Sequence, residues 1–192
     1  MTQPLILHQE GNQTLHLYPH LFASRFPSHE LEKSEWITTT PWVQNKIKVF
    51  GKEYNEPRLT YWMGPAYQYS SIQWPAQTFT AIAEGMRQEL NEILQFPFNS
   101  CLMNYYRDGR DSMGAHRDNE PEMDTRCIAS VTFGGSRKIK FKNRITQEKI
   151  ELVLHHGDLL VMHHFQDQWY HEIPKVKSAL PRLNLTFRNI IA

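Results

Sequence analysis

Ile128-Ala-Ser-Val-Thr-Phe-Gly-Gly-Ser-Arg-Lys-Ile-Lys-Phe-Lys142 is the stretch that decides the fold. Its first six residues are apolar, β-branched or small, and Gly134-Gly135 supplies a turn. Lys138, Lys140 and Lys142 then alternate with Ile139 and Phe141. That two-residue period marks a strand with one wet face and one dry face. The pattern continues on both sides. Asn99 to Tyr106, Lys149 to Leu154, Leu159 to His163 and Leu183 to Ile190 read as further short strands, with turn chemistry at Asn143-Arg144 and Gly157-Asp158.

Upstream the period changes. Phe79, Ile82, Met86, Leu90 and Ile93 recur at three- and four-residue steps, which predicts a helix over Gln77 to Leu94, ended by Pro97. Pro27 to Trp36 reads as a shorter helix with Pro27 and Ser28 at its start and a break at Thr38-Thr-Thr-Pro41. Lys46 to Phe50 alternates like a strand, and Gly51-Lys52 suggests a turn. Asn55-Glu-Pro57 and Met63-Gly-Pro65 are further breaks. Helices first and many short strands afterwards predict an α+β chain whose core is a β-sandwich or jelly-roll, with helices packed on one face.

Composition bounds the function. The 192 residues suit one domain of ordinary size, and a formal charge of +1 does not by itself announce a nucleic-acid binder. Cys101 and Cys127 make no disulfide framework, which fits a reducing compartment. No long apolar run suggests a membrane helix, and the N-terminus has no basic n-region, so a soluble cytoplasmic protein is expected, nuclear if the source is eukaryotic.

Four polar signals carry chemistry. His116 and Asp118 lie two apart and share a face if the segment is extended, with Arg117 pointing away. His171 must reach them by folding. Two imidazoles and a carboxylate without a thiolate favour Fe(II) with open coordination positions over a structural zinc site. Taken alone, His-x-Asp in a chain with 10 histidines reads as a polar loop. The fourth signal is Arg182-Leu-Asn-Leu-Thr-Phe-Arg188. Arg182, Asn184, Thr186 and Arg188 share one face, and Leu183, Leu185 and Phe187 share the other. Half-buried strands usually solvate the polar face, yet two forked guanidiniums with an amide and a hydroxyl suit a dicarboxylate such as 2-oxoglutarate. Asn104 and Tyr106 share a face in the same way and add donors.

Asn104-x-Tyr106, His116-x-Asp118, His171 and Arg182-x-Asn184-x-x-x-Arg188 together resemble the AlkB family of Fe(II)/2-oxoglutarate nucleic-acid dealkylases, over roughly residues 46 to 190. Val49-Phe-Gly-Lys52, Pro57-Arg58, Tyr67-Gln-Tyr-Ser70, His116-Arg-Asp-Asn-Glu120 and Pro181 to Arg188 are similar to the subgroup that repairs alkylated bases in duplex DNA. The resemblance implies a double-stranded β-helix (jelly-roll) catalytic core over 99–192. It also implies helices and nucleotide-recognition segments over 1–98, although residues 1–40 match nothing specific. It implies that His116, Asp118 and His171 bind iron and that Asn104, Tyr106, Arg182, Asn184, Thr186 and Arg188 line the 2-oxoglutarate site. Arg182 would hold the distal carboxylate, and Arg188 would sit nearer the metal or pair with Asp118. On the substrate side it implies Tyr67 and Tyr69 flanking a flipped base, Asn119 and Glu120 at its polar edge, Phe50 before Gly51 as a wedge, and Lys52 and Arg58 on phosphates. Asn119 stands where the subgroup often has an acidic residue.

The implied activity is oxidative demethylation of 1-methyladenine or 3-methylcytosine in DNA by a monomer, with release of formaldehyde, succinate and carbon dioxide. The basic run Arg137 to Arg144 then becomes a phosphate surface, although without the family it reads as a charged edge strand that resists aggregation. The same oxygenase chemistry on RNA, a protein side chain or a small molecule is the alternative. A non-catalytic barrel and a His-Asp-His zinc hydrolase explain the ligand set and the two arginines less well.

Overall fold

The computed structural model describes residues 3–25, 28–49, 51–69 and 72–191, with the backbone alone at 28, 29, 48, 49, 67–69 and 72. The first half contains β1 (Leu5–Glu10), β2 (Gln13–Tyr18), α1 (Glu35–Thr38), β3 (Lys46–Val49), β4 (Lys52–Asn55), β5 (Leu59–Met63), β6 (Tyr67–Tyr69), β7 (Ile72–Trp74) and α2 (Ala81–Leu94). The second half contains β8 (Ser100–Tyr106), β9 (Met113–His116), β10 (Met123–Gly134), β11 (Arg137–Asn143), β12 (Lys149–Leu154), β13 (Leu159–His163), β14 (Trp169–Ile173) and β15 (Arg182–Ile190).

Two antiparallel sheets form the core. The major sheet has the order β1-β2-β13-β10-β15-β8-β5, and the minor sheet β12-β11-β14-β9. Ile139, Phe141 and Trp169 of the minor sheet pack against Ile128, Leu160 and Met162 of the major sheet, filling the space between them. The other face of the major sheet carries Val131, Leu183, Leu185 and Phe187, covered by Met86 and Leu90 of α2 and by Trp36 of α1. This is the jelly-roll with helices on one face that the strand pattern predicts.

Several expectations change in detail. The long helix starts at Ala81, because Thr80 accepts a hydrogen bond from Ala83 N and caps it. Ile82, expected on its apolar stripe, is exposed, and Ala83 takes the buried position. The expected helix ahead of Trp36 is a 3-10 turn over Ser28–Lys33 followed by the single turn of α1, and Pro27 lies outside the described residues. Residues 5–18 form a hairpin whose second strand joins the major sheet, Leu15 pairing with Met162. The expected division at residues 98/99 therefore does not separate the sheets, since β1, β2 and β5 all belong to the major one. The basic run is not an edge strand: β11 lies between β12 and β14. Among the described residues, no helix is long and apolar enough to cross a membrane.

Two short ribbons stand apart from the sheets, β3 with β4 and β6 with β7. Gly51 sits in the tight turn between β3 and β4 with φ 79°, a left-handed conformation that glycine adopts without strain.

Candidate active site

The minor sheet brings the two imidazoles together. His116, the last residue of β9, pairs directly with His171 of β14, and their ring centroids lie 4.2 Å apart. Asp118 lies two residues beyond the strand end, so a loop rather than continued extension carries it to the same spot. Its backbone N–H donates to Gln166 Oε1 at 3.0 Å, and Gln166 is fully buried. Arg117 does point away, donating to the Asp167 carbonyl at 2.9 Å and lying over the Tyr170 ring.

The ligating atoms of His116, Asp118 and His171 all lie within 4.8 Å of one another. His116 Nδ1 faces the Gly114 carbonyl at 2.9 Å, which makes Nδ1 the protonated nitrogen and leaves the Nε2 lone pair facing Asp118 Oδ1 at 3.6 Å. Burial lowers the pKa of His116, and burial together with the neighbouring imidazole takes His171 down to about 3, so both rings are neutral ligands at neutral pH. Burial alone would raise the Asp118 carboxyl. The Arg188 guanidinium and the two imidazoles outweigh it and hold the group well below the usual carboxylate range. Arg188 donates twice to Asp118 Oδ2, from Nε at 3.2 Å and from Nη2 at 2.8 Å. Two neutral imidazoles and one ionised carboxylate, clustered and thiolate-free, fit Fe(II).

The arginine strand lines the same cavity. Arg182, Asn184, Thr186 and Arg188 are all buried and face the space between the sheets rather than solvent. Strand register sets Arg182 beside Tyr106 and Asn184 beside Asn104. Arg182 donates from Nη2 to Thr132 Oγ1 at 2.9 Å and to Asn184 Oδ1 at 2.7 Å, and it lies over the Tyr106 ring. Among the described residues its Nε and Nη1, both buried, have no hydrogen-bond acceptor. Burial brings its pKa down to about 10, so it remains charged at neutral pH. A buried cation with two unmatched donors fits an incoming carboxylate. Asn184 is a support for Arg182: its oxygen also accepts from Ser130, and its nitrogen donates to Thr186 Oγ1 at 2.8 Å.

The substrate-side expectations are placed unevenly. Phe50 lies outside the described residues. Tyr67 and Tyr69 are described in backbone only, in β6, opposite Trp74 and Ile72 of β7. Asn119 is exposed beside the metal cluster, and Glu120 is half-buried. Lys52 is exposed in β4. Arg58, expected on phosphates, is instead buried in the cavity wall, where it pairs with Glu56 and donates to Asn104. The basic run is corrected in the same way at its first residue. Arg137 is buried and donates to the carbonyls of Asp108, Asp111 and Pro174. Lys138, Lys140 and Lys142 do share the outer face of the minor sheet, but Glu151 and Glu172 engage the first two.

Other residues of the site went unread. Glu56, Gln166, Thr132 and Ser130 are buried polar groups that hold the expected ones, and Trp62 and Trp74 supply the cavity with aromatic wall. A Glu-Pro-Arg triplet and a lone Gln carry no spacing signal. Trp74 was detectable only as an aromatic close to Tyr67 and Tyr69.

Residues 14–188 match the 2OG-Fe(II) oxygenase superfamily. The chain is 38% identical to the mouse protein called DNA oxidative demethylase ALKBH2, covering 76% of this chain and 67% of that one. Its human counterpart is 36% identical over the same share of this chain, and 61% of its own length is covered. Mouse alpha-ketoglutarate-dependent dioxygenase alkB homolog 3 is 32% identical over 98% of this chain and 73% of its own. The chain thus spans about three-fifths of the bovine and human ALKBH2 proteins. The solved structure of OsALKBH1 superposes with a TM-score of 0.62 at 14% identity, over 95% of this chain and 100% of that one, a likeness of fold.

Proposed function

The chain belongs to the AlkB family of the 2OG-Fe(II) oxygenase superfamily, and from that premise we propose that it removes N-alkyl groups from nucleic-acid bases, with alkylated DNA as its substrate. As a member of that family it is a dioxygenase using Fe(II) and 2-oxoglutarate. One observation carries the reading: the His116, Asp118 and His171 cluster and the half-matched Arg182 open into one cavity, lined on its apolar side by Trp62, Trp74 and Met113.

When bound, the metal with 2-oxoglutarate and dioxygen supplies the oxidising power, the cosubstrate leaving as succinate and carbon dioxide. The chain's own residues orient and exclude. His116, Asp118 and His171 would hold the metal. Arg188 keeps Asp118 ionised and fixes its free oxygen. Arg182, carried by Asn184 and Thr132, receives the far carboxylate of the cosubstrate. The indole faces and the apolar wall give a planar base somewhere dry to rest. A base in a duplex reaches this cavity only by leaving the stack. The β6–β7 ribbon, which brings Trp74 to the cavity, and the β3–β4 ribbon, with Lys52 exposed on it, are the segments we assign to that contact. An N-methyl group hydroxylated here is lost as formaldehyde, leaving the unmethylated base.

The relatives named as DNA oxidative demethylases support DNA over other substrates. The test is formaldehyde release from oligonucleotides bearing 1-methyladenine, in single-stranded DNA, duplex DNA and RNA, with Fe(II) and 2-oxoglutarate. Repair of the DNA base is expected. 2-Oxoglutarate decay without repair on any strand would retain the oxygenase and reject the substrate.

A further inference from the structure

We propose that the buried Glu56–Arg58 ion pair is a positioning device for Asn104, and that it turns the Asn104 amide so that the cavity meets a donor. The inference rests on the cosubstrate reading given above and adds two residues to it. Glu56 and Arg58 stand on the link between β4 and β5, and both are nearly inaccessible, at 3% and 4%. Arg58 Nη2 donates to Glu56 Oε1 at 2.9 Å. Glu56 is itself pinned from residues 44 and 45: Asn45 Nδ2 donates to its Oε2 at 3.3 Å, and Gln44 Nε2 donates to its backbone carbonyl at 2.9 Å. The remaining edge of the guanidinium faces β8, where Arg58 Nε donates to Asn104 Oδ1 at 2.8 Å.

That last contact is decisive for Asn104. A guanidinium has donors and no acceptor, so it accepts only one rotation of the facing carboxamide, with oxygen towards Arg58 and nitrogen away. Among the described residues the Asn104 nitrogen then donates only to the Leu102 carbonyl, at 3.5 Å. Asn104 lines the same cavity as His116, Asp118 and Arg182. The pair thereby fixes an N–H donor for an anionic guest. The opposite rotation would show that guest a carbonyl oxygen. Buried ion pairs add little to stability compared with packed apolar side chains. What this one adds is the orientation of its neighbour.

The test compares wild type with Asn104→Ala, with the paired Glu56→Gln/Arg58→Met variant, and with all three substitutions together. Neutralising both charges avoids stranding one in the interior, and thermal unfolding reports whether the fold survives. 2-Oxoglutarate affinity is read by anaerobic calorimetry with Mn(II) in place of iron, and KM and kcat by 2-oxoglutarate decay. Loss of one hydrogen bond to a carboxylate predicts about a tenfold to hundredfold weaker binding in Asn104→Ala. The paired variant should lose roughly three- to tenfold, mainly in KM, because the amide is freed rather than removed. The triple variant should bind as Asn104→Ala does, since the pair acts only through that side chain.

A paired variant with wild-type affinity beside a weakened Asn104→Ala overturns the proposal alone. So does a triple variant weaker than Asn104→Ala by the paired variant's full factor. Wild-type affinity in Asn104→Ala removes that residue from the cosubstrate site and takes the proposal with it. If the paired variant unfolds, Arg58→Lys, which keeps the charge but lacks the fork, is read by the same criteria.

Discussion

The two faces of β15 are equally dry and chemically opposite. Leu183, Leu185 and Phe187 are fully buried under the helices, while Arg182, Asn184, Thr186 and Arg188 are buried between the sheets with exposures of 1% to 7%. A strand covered on both sides ordinarily reads as a continuous apolar run. Here the alternation survives because the polar side chains satisfy one another in large part, through Thr132, Asn184 and Asp118, with two Arg182 donors left over. The helix side holds the molecule together. The inner side gives up some of that stability for two fixed cations.

The largest expected effect breaks the inner face at the metal. Asp118→Ala removes a ligand and the counter-charge of Arg188 together. Turnover should fall by more than about a thousandfold, since the bound metal contributes several kcal/mol. Metal content after dialysis and 2-oxoglutarate decay are the measurements, and an active variant would remove Asp118 from the cluster. Next in size, Phe187→Ala on the helix side should cost about 3–5 kcal/mol in urea unfolding. The KM for 2-oxoglutarate in the fraction that stays folded should not move. A shifted KM would mean that the two faces are not independent.

The smallest effect is the sharpest test of the contrast, because its two readouts move in opposite directions. Arg182→Met removes a buried cation with two unmatched donors. 2-Oxoglutarate binding should weaken by about tenfold or more. The unliganded protein should gain about 1 kcal/mol, roughly 2–4 °C in Tm. Loss of stability together with loss of binding would show that Arg182 supports the fold as well as the site.

What could be read from the sequence follows the range of each signal. Period-two alternation is local, so β8, β11, β12, β13 and β15 were legible, as was the arginine run on β15, whereas β9 and β14, which carry the candidate ligands His116 and His171, were not. The β1–β2 hairpin carries a fair local signal too, with Leu5 and Leu7, Leu15 and Leu17, and Gly11 at its turn. It went unread because its reward comes from β13, which lies far along the chain. Arg58 and Arg137 were misplaced for a related reason. A charged residue reads as surface until its partners are known, and theirs are Asn104 for the first and the carbonyls of Asp108, Asp111 and Pro174 for the second. Glu56, two residues from Arg58, pairs with it as well, but the distant partners cannot be inferred from neighbours in sequence.

Strand order also governs how the protein is made. β15 is the last strand in chain order, yet it lies in the middle of the major sheet, between β10 and β8. Without residues 182–190, β8 with β5 and β10 with β13 would be two half-sheets facing an empty slot. Each half presents an unpaired edge of the kind that invites aggregation. Closing the slot requires pairings of long sequence separation, a slow class of folding event. The closing strand is also the one that carries Arg182 and Arg188. Arg182 and the Arg188 clamp on Asp118 therefore come into place only when that slot is closed.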